Sequence, residues 1–346
     1  MTTLPQNLQP LSMSQLLDRA IRLYRNNFLI FVGIVALAQI PATAVNMIGL
    51  WLAPAPEATF SPAATLTEMW LEIAESSGYG SNPWVWLGRL VTLLLVQLAT
   101  AAMTKAVAEN YLGRKIGLLD AYRKIGRSGF TLLLATFIGI LFVLFLAIWW
   151  VIVPCLGWLT GLGMIFFFVL VVLPLVAPVV VLEQRSAAEA LQRAWNLARR
   201  RLWWLVGFML LLGIFSQLVV TGPAILSVFI VNSLVGSSVS ATTATLIQQV
   251  ITLLLNLIYL PLQLSCVTLL YFDVRVRTEG FDLALLALSD RAEMATLPAT
   301  APPLSKSIFP KWEEFGYFSL ITIAIAVLYL AVVMVLVAAT LGLSGF

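Results

Sequence analysis

The 346 residues carry a formal charge of +4, with 61% of positions hydrophobic, 10% charged and no histidine. A soluble domain carries about 25% charged residues, so the composition excludes an ordinary soluble protein and points to a polytopic membrane protein with a few wet segments. The missing histidine removes Ser-His and Cys-His dyads, His-ligated zinc and imidazole-dependent phosphodiester hydrolysis. Cys155 and Cys266 have no disulfide-framework or metal-ligand spacing; two packed thiols are expected, with no metal and no cofactor.

In chain order, a polar, Pro-punctuated lead (1–11) precedes SMSQLLDRAIRLYRNNF, so no cleaved signal is expected. On a helix, Leu17, Ala20, Ile21, Tyr24 and Phe28 form one apolar stripe. Ser12 with Gln15 has capping-box spacing, and Asp18 with Arg22 is an i,i+4 ion pair. An apolar run at 28–52 reads as a first span and 85–103 as a second, each meeting the ~20-residue criterion. The connection between them carries Glu57, Glu68, Glu72 and Glu75, and Leu66, Met69, Trp70 and Ile73 suggest a short acidic surface helix.

The next stretch, GLLDAYRKIGRSGF, keeps the stripe with Leu119, Tyr122 and Phe130 and pairs Asp120 with Lys124. Arg123 interrupts it and no cap residue stands at its start. Spans at 130–153 and 164–182 follow, with a turn at 154–163 between them, so Gly157 and Gly161 fall in that turn and not on a dimerising helix. EQRSAAEALQRAWNLARRRLWW (183–204) is the clearest copy. Ser186 and Glu189 form its capping box, and Leu191, Ala194, Trp195, Ala198 and Leu202 its stripe, with Glu189, Arg193, Asn196, Arg199 and Arg200 opposite. A basic amphipathic helix running into a hydrophobic span belongs at a membrane surface.

Spans at 202–231 and 245–271 complete a third pair, with an outer turn at 232–243. Pro41, Pro174, Pro178, Pro223 and Pro261 are kinks that membrane helices tolerate. The exit YFDVRVRTEGFDLALLALSDRAEM suggests a turn at Gly280 and another surface helix bearing Phe281, Leu285 and Leu288. The fold class predicted is all-α: a polytopic transmembrane helix bundle of six spans, built as three amphipathic-helix-plus-hairpin repeats, with a seventh C-terminal span at 318–343. The domain reading is 1–290 for the six-span domain, 291–314 for a cytoplasmic Ala/Pro-rich linker and 315–346 for the added helix.

Every Lys and Arg except Arg89 lies in the N-terminal segment or in the connections after the second, fourth and sixth spans. By the positive-inside rule these segments are cytoplasmic. The N-terminus is therefore expected inside and the C-terminus outside, in a bacterial cytoplasmic membrane. Arg89 is read as snorkelling to the outer headgroups. No Asp, Glu or Lys falls within the predicted spans, which weighs against an ion-driven carrier. Gln39, Asn46, Gln97, Gln217, Asn256 and Gln263 read as interhelical hydrogen-bond glue.

Two basic clusters are the candidate site: Arg193 with Arg199, Arg200 and Arg201, and Asp273, Arg275, Arg277, Glu279 and Asp282. Two readings stand. Guanidinium groups at the inner surface could grip lipid phosphate, each contributing ~1 kcal/mol of attraction to an anionic leaflet. Alternatively they supply topogenic charge and an ion network tying the surface helices together. No P-loop, paired catalytic carboxylates, CxxC or nucleophile elbow is present, and basic residues interleaved with spans argue against nucleic acid.

The stretches 14–28 (SQLLDRAIRLYRNNF), 183–197 (EQRSAAEALQRAWNL) and, most specifically, 271–283 (YFDVRVRTEGFDL) resemble the membrane-domain family named after glycerophosphoryl diester phosphodiesterases. The resemblance covers about residues 10 to 290. It implies the helical bundle and its amphipathic inner helices, and no catalytic role: in the named enzymes the region is an anchor ahead of a soluble barrel that is not expected here. The expected function is a non-enzymatic scaffold or accessory subunit of a membrane assembly. Its partners would be anionic lipid headgroups at the inner face and other membrane subunits through the C-terminal span. The alternative is a passive permease or lipid or small-molecule carrier.

Overall fold

A computed structural model describes residues 11–52, 83–235, 241–281 and 312–343. Their regular structure is helical throughout. The elements are α1 (Met13–Asn26), α2 (Phe28–Leu52), α3 (Pro83–Tyr111), α4 (Leu118–Ile125), α5 (Arg127–Ile152), α6 (Leu156–Phe167), α7 (Leu173–Glu183), α8 (Ala187–Arg199), α9 (Leu202–Ser216), α10 (Gly222–Val235), α11 (Ala241–Glu279) and α12 (Trp312–Leu343). A π-helical turn, Phe168–Val172, joins α6 to α7, and a second, Gln217–Thr221, joins α9 to α10. Among the described residues, seven continuous rods are long and apolar enough to cross a membrane. The protein is an all-α, multi-pass membrane protein.

Short helices precede the apolar rods three times, at α1, α4 and α8, where the sequence places its amphipathic stretches. Both capping boxes form. In the first, Ser12 N–H donates to Gln15 Oε1 at 3.0 Å and Gln15 N–H to Ser12 Oγ at 3.3 Å. In the second, Ser186 N–H donates to Glu189 Oε2 at 3.3 Å. The weak copy, α4, starts at Gly117 without a side-chain cap. The Asp120–Lys124 pair expected there gives way to a different geometry: Asp120 turns back to the helix start, its Oδ2 3.4 Å from the Cβ site of Gly117. Asp18 and Arg22 do pair.

Several boundaries differ from the sequence reading, each for a physical reason. The turn expected at 154–163 shrinks to the residues around Pro154 and a left-handed Cys155 (φ 59°), and α6 begins at Leu156. Gly157 and Gly161 therefore lie in a helix. A Cβ at Gly157 would stand 2.5 Å from the Trp149 carbonyl oxygen and one at Gly161 2.7 Å from Trp150 Cβ, so these glycines let α6 lie close on α5. Cys155 is exposed, not packed, while Cys266 is buried.

The second, fourth and sixth spans run past their predicted ends to Tyr111, Glu183 and Glu279, and so carry acidic residues that the apolar-run criterion had placed outside. Both π-helical turns stand just ahead of a proline, Pro174 and Pro223, where the missing N–H and the ring's clash with the preceding turn widen the helix locally. Gly280, in the left-handed region (φ 65°), ends α11 as expected. The acidic helix read at 66–73, Leu285, Leu288, Asp282 and most of the linker 291–314 lie outside the described residues. The last three linker positions, Trp312, Glu313 and Glu314, belong to α12, which starts at Trp312.

The described residues divide into two compact units. The first takes α1–α4, the start of α5, the latter part of α9, α10 and α11. In it α2 lies along α3 and α11, and α1 packs on α11. Asn46 Nδ2 donates to Thr92 Oγ1 at 2.6 Å and so bridges α2 and α3, and Tyr122 of α4 donates to the Ile34 carbonyl at 2.7 Å. The buried residues of α1 are Leu16 and Ala20; of the expected stripe Ala20 is buried, Leu17 is half-buried and Ile21 is exposed. α1 has apolar residues on two adjacent faces: Leu16 and Ala20 are buried, while Tyr24 of the expected stripe reaches α11 through its hydroxyl, which donates to the Ile258 carbonyl.

The second unit takes most of α5, then α6, α7, α8, the start of α9 and α12. Here α8 folds back along α7, and α12 lies along α6. Arg193 and Asn196, expected on the polar side of α8, are buried together with its stripe.

Candidate functional site

A long apolar helix that ends in a carboxylate must neutralise it, because a buried unpaired charge is costly. Three such ends occur among the described residues. Glu109 of α3 takes Lys105 Nζ at 3.2 Å and Arg114 Nε at 2.7 Å, Arg114 lying in the loop that leads to α4. Glu183, closing α7, takes Arg185 Nε at 3.1 Å and Arg193 Nε at 3.1 Å. Asp273, near the end of α11, takes Arg277 Nε at 2.8 Å and the backbone N–H of Leu11 at 2.7 Å. In each case the carboxylate fastens the segment entering, or forming, a short amphipathic helix. Glu109 and the structural role of Glu183 were not among the sequence candidates. The available signal was an acidic residue closing each of three apolar runs.

The predicted site residues fall into two groups, one in each unit. In the first unit, Arg275 is 2% exposed. Its Nε donates to Glu279 Oε2 at 3.0 Å and its Nη1 to Tyr271 Oη at 3.2 Å. The guanidinium carbon stands 4.6 Å from the centre of the Phe281 ring, a cation–π contact. Arg277 adds a hydrogen bond from Nη2 to the Leu11 carbonyl. The two i,i+4 pairs, Asp273–Arg277 and Arg275–Glu279, keep the end of α11 helical beyond its apolar run.

In the second unit, Arg193 is 4% exposed and lies against Glu183 through both carboxylate oxygens, at 3.1 and 3.2 Å. Arg199 donates from Nη2 to Asn196 Oδ1 at 3.0 Å and stands 3.5 Å from Glu314 of α12 through Nη1. Arg200 is exposed and Arg201 half-buried, so the arginine run ends at an open surface. Glu314 was not a sequence candidate, because its pairing depends on how α12 docks.

Beside these charges the second unit holds a cavity of about 480 Å³. Its walls are almost wholly apolar: Phe142, Phe145 and Trp149 from α5, Phe168 from the π-helical turn, Trp195 from α8 and Phe315 from α12. Trp195 is 7% exposed and packs its ring 5.6 Å from Phe167 and 6.0 Å from Phe318. The indole N–H groups of Trp149 and Trp195 are buried and find no acceptor among the described residues.

Outside the spans, two phenols are perturbed. Burial raises the pKa of Tyr24, whose hydroxyl donates to the Ile258 carbonyl at 2.9 Å. Burial likewise pushes Tyr122 up to about 12. Both are held as neutral donors, suited to tying a short helix to a rod and not to proton transfer near neutral pH.

Compared with known family models, curated proteins and solved structures, this chain matches none.

Proposed function

We propose that the protein is a non-enzymatic component of a membrane assembly, a scaffold or accessory subunit that contacts anionic lipid at the cytoplasmic face. The observation that carries this reading is how α12 is attached. Phe318, Ile321 and Thr322 are buried, whereas Leu320, Ile323, Val327, Leu328, Tyr329 and Leu330 are exposed. One seam docks the helix and leaves its other faces apolar and open, as a helix shared with a second membrane protein would be. Support also comes from Glu109, Glu183 and Asp273, whose charges are committed to ion pairs that hold loops and short helices.

The membrane is read as a bacterial cytoplasmic one, with the arginine-bearing ends inside. The likeness of 14–28, 183–197 and 271–283 to the phosphodiesterase membrane-domain family belongs to the same proposal, as does descent of the three short-helix-plus-hairpin segments from one repeat. Purification in mild detergent after in-cell cross-linking through α12 tests the assembly. A second protein held to α12 is the expected result, and a lone chain under all conditions overturns it. Impermeant thiol labelling of cysteines placed at Arg200 and Gly280, in a chain whose exposed Cys155 is replaced by serine, tests orientation; labelling of either position in intact cells would reverse it.

A second reading, a passive permease or a lipid or small-molecule carrier, is favoured by the cavity against α8. Transport would require it to open to both sides. Flux of a fluorescent lipid across proteoliposomes that is absent from empty vesicles would select this reading over the first.

A further inference from the structure

We infer that the cavity against α8 is a binding site for one acyl chain of an anionic phospholipid whose headgroup lies at the arginine run closing that helix. The inference rests on the lipid-contact half of the proposed function and adds to it a place and a ligand.

Four observations lead to it. The volume of about 480 Å³ lies within the roughly 300–1,000 Å³ of ligand pockets. Two walls, α5 and the α6–π-turn rod, belong to helices long and apolar enough to cross a membrane, so the medium beside them is hydrocarbon. The lining is aromatic and aliphatic, with Gln192 its polar side chain, so an alkyl chain enters without desolvating a polar partner and water gains little by staying.

The fourth observation is charge. Arg199 follows Trp195 by one helical turn, and its partner Glu314 immediately precedes Phe315 of the cavity wall. Arg200 and Arg201 follow at the open surface. An anionic headgroup beside the cavity is thus opposite a net positive run, whereas a zwitterionic one gains less.

The test uses the full-length protein in detergent, stripped of lipid and then titrated with dioleoyl phosphatidylglycerol, the bound lipid being counted by native mass spectrometry. The wild type is expected to retain one such lipid at least tenfold more strongly than dioleoyl phosphatidylcholine. It should also retain it at least tenfold more strongly than dihexanoyl phosphatidylglycerol, which has the headgroup without the long chain. Ala188→Trp, which fills the cavity from α8, should lower dioleoyl retention about tenfold. Ile138→Trp, which fills it from α5, does the same should the first variant not fold. Equal retention by folded wild type and filled variant overturns the inference, as does equal retention of the short-chain or the zwitterionic lipid. Co-purification of a partner through α12 is measured separately. A filled variant that keeps its partner but loses its lipid therefore separates this inference from the assembly reading, and loss of partner with lipid retained does the converse.

Discussion

Asp273, near the end of α11, accepts the backbone N–H of Leu11 at 2.7 Å across a separation of 262 residues. The same carboxylate pairs with Arg277, which returns a hydrogen bond to the Leu11 carbonyl. Both backbone polar groups of Leu11, the residue just ahead of the α1 cap, are thus satisfied by one ion pair on the sixth rod. The short helix is held at its start by charge and along its length by Leu16 and Ala20. Asp273→Asn keeps an acceptor but removes the charge. A hydrogen bond to a charged group contributes about 1.5–3 kcal/mol, so a loss of about 2 kcal/mol is expected in detergent unfolding, with faster hydrogen exchange at the Leu11 and Gln15 amides. Exchange unchanged at those amides would show that the pair does not hold the segment.

Glu183 and Arg193 form the corresponding tie in the second unit, and both side chains are almost entirely removed from solvent. Removing one partner of such a pair costs about 3–5 kcal/mol, because the other charge stays buried, whereas replacing both can be nearly neutral. A double-mutant cycle with Glu183→Gln and Arg193→Met should therefore give two strongly destabilised singles and a double variant closer to wild type than their sum. Arg185 also contacts Glu183, at 3.1 Å, so the glutamine variant should be the worse of the two singles. Strict additivity would mean that the two groups do not act as a pair.

Much of this was legible in the sequence because membrane helices announce themselves by length and apolarity and capping boxes by local spacing. The first span, 28–52, coincides with α2, and both Ser-led caps form as their spacing dictates. What escaped is long-range. The charge-bearing ends of the rods fall outside the apolar runs, yet i,i+4 pairing keeps α11 helical to Glu279. Gly157 and Gly161 read as a turn because glycine breaks isolated helices, whereas beside Trp149 and Trp150 its missing Cβ is what allows the contact. Arg193 was assigned to an open polar face, because periodicity cannot reveal that the polar face of α8 would meet Glu183. The cavity had no sequence signal, since its walls come from four separate elements.

Tyr122 gives a pH dependence with a definite sign. Its hydroxyl donates to the Ile34 carbonyl at 2.7 Å, and burial raises its pKa from 10.0 to about 12. The folded state therefore holds the phenolic proton more tightly than the unfolded chain. The contribution is intact below pH 10 and is lost as the pH rises from 10 through about 12. Tyr122→Phe should cost about 1 kcal/mol at pH 8 through the lost hydrogen bond and flatten this alkaline slope. Thermal unfolding of the two proteins at pH 8 and pH 11 checks it. Identical slopes would place the alkaline sensitivity elsewhere.

Gly163 decides whether α12 belongs to the fold. Its N–H donates to Thr322 Oγ1 at 2.9 Å, and that hydroxyl donates in turn to the Phe318 carbonyl at 3.0 Å. A Cβ at this position would fall onto the Phe318 carbonyl and stand 2.9 Å from Thr322 Oγ1. The obstacle is backbone on the neighbouring helix, so no side-chain rotation relieves it and the two helices must separate. Within a membrane, where lipid is as apolar as the helix surface, association depends on close contact of this kind. Separation also costs the Phe318 contacts with Phe167 and Trp195. Gly163→Val should therefore release α12 while leaving the capping boxes and the buried pairs of the first unit in place. A cysteine pair at Trp203 and Tyr317, whose rings lie 5.9 Å apart, is joined in the wild type by a short bifunctional thiol reagent and should cross-link several-fold less in the variant, with far-ultraviolet circular dichroism unchanged. Thr322→Ala, which removes the hydroxyl without adding bulk, should produce a smaller loss. If both variants cross-link like the wild type, α12 is held by something other than this seam.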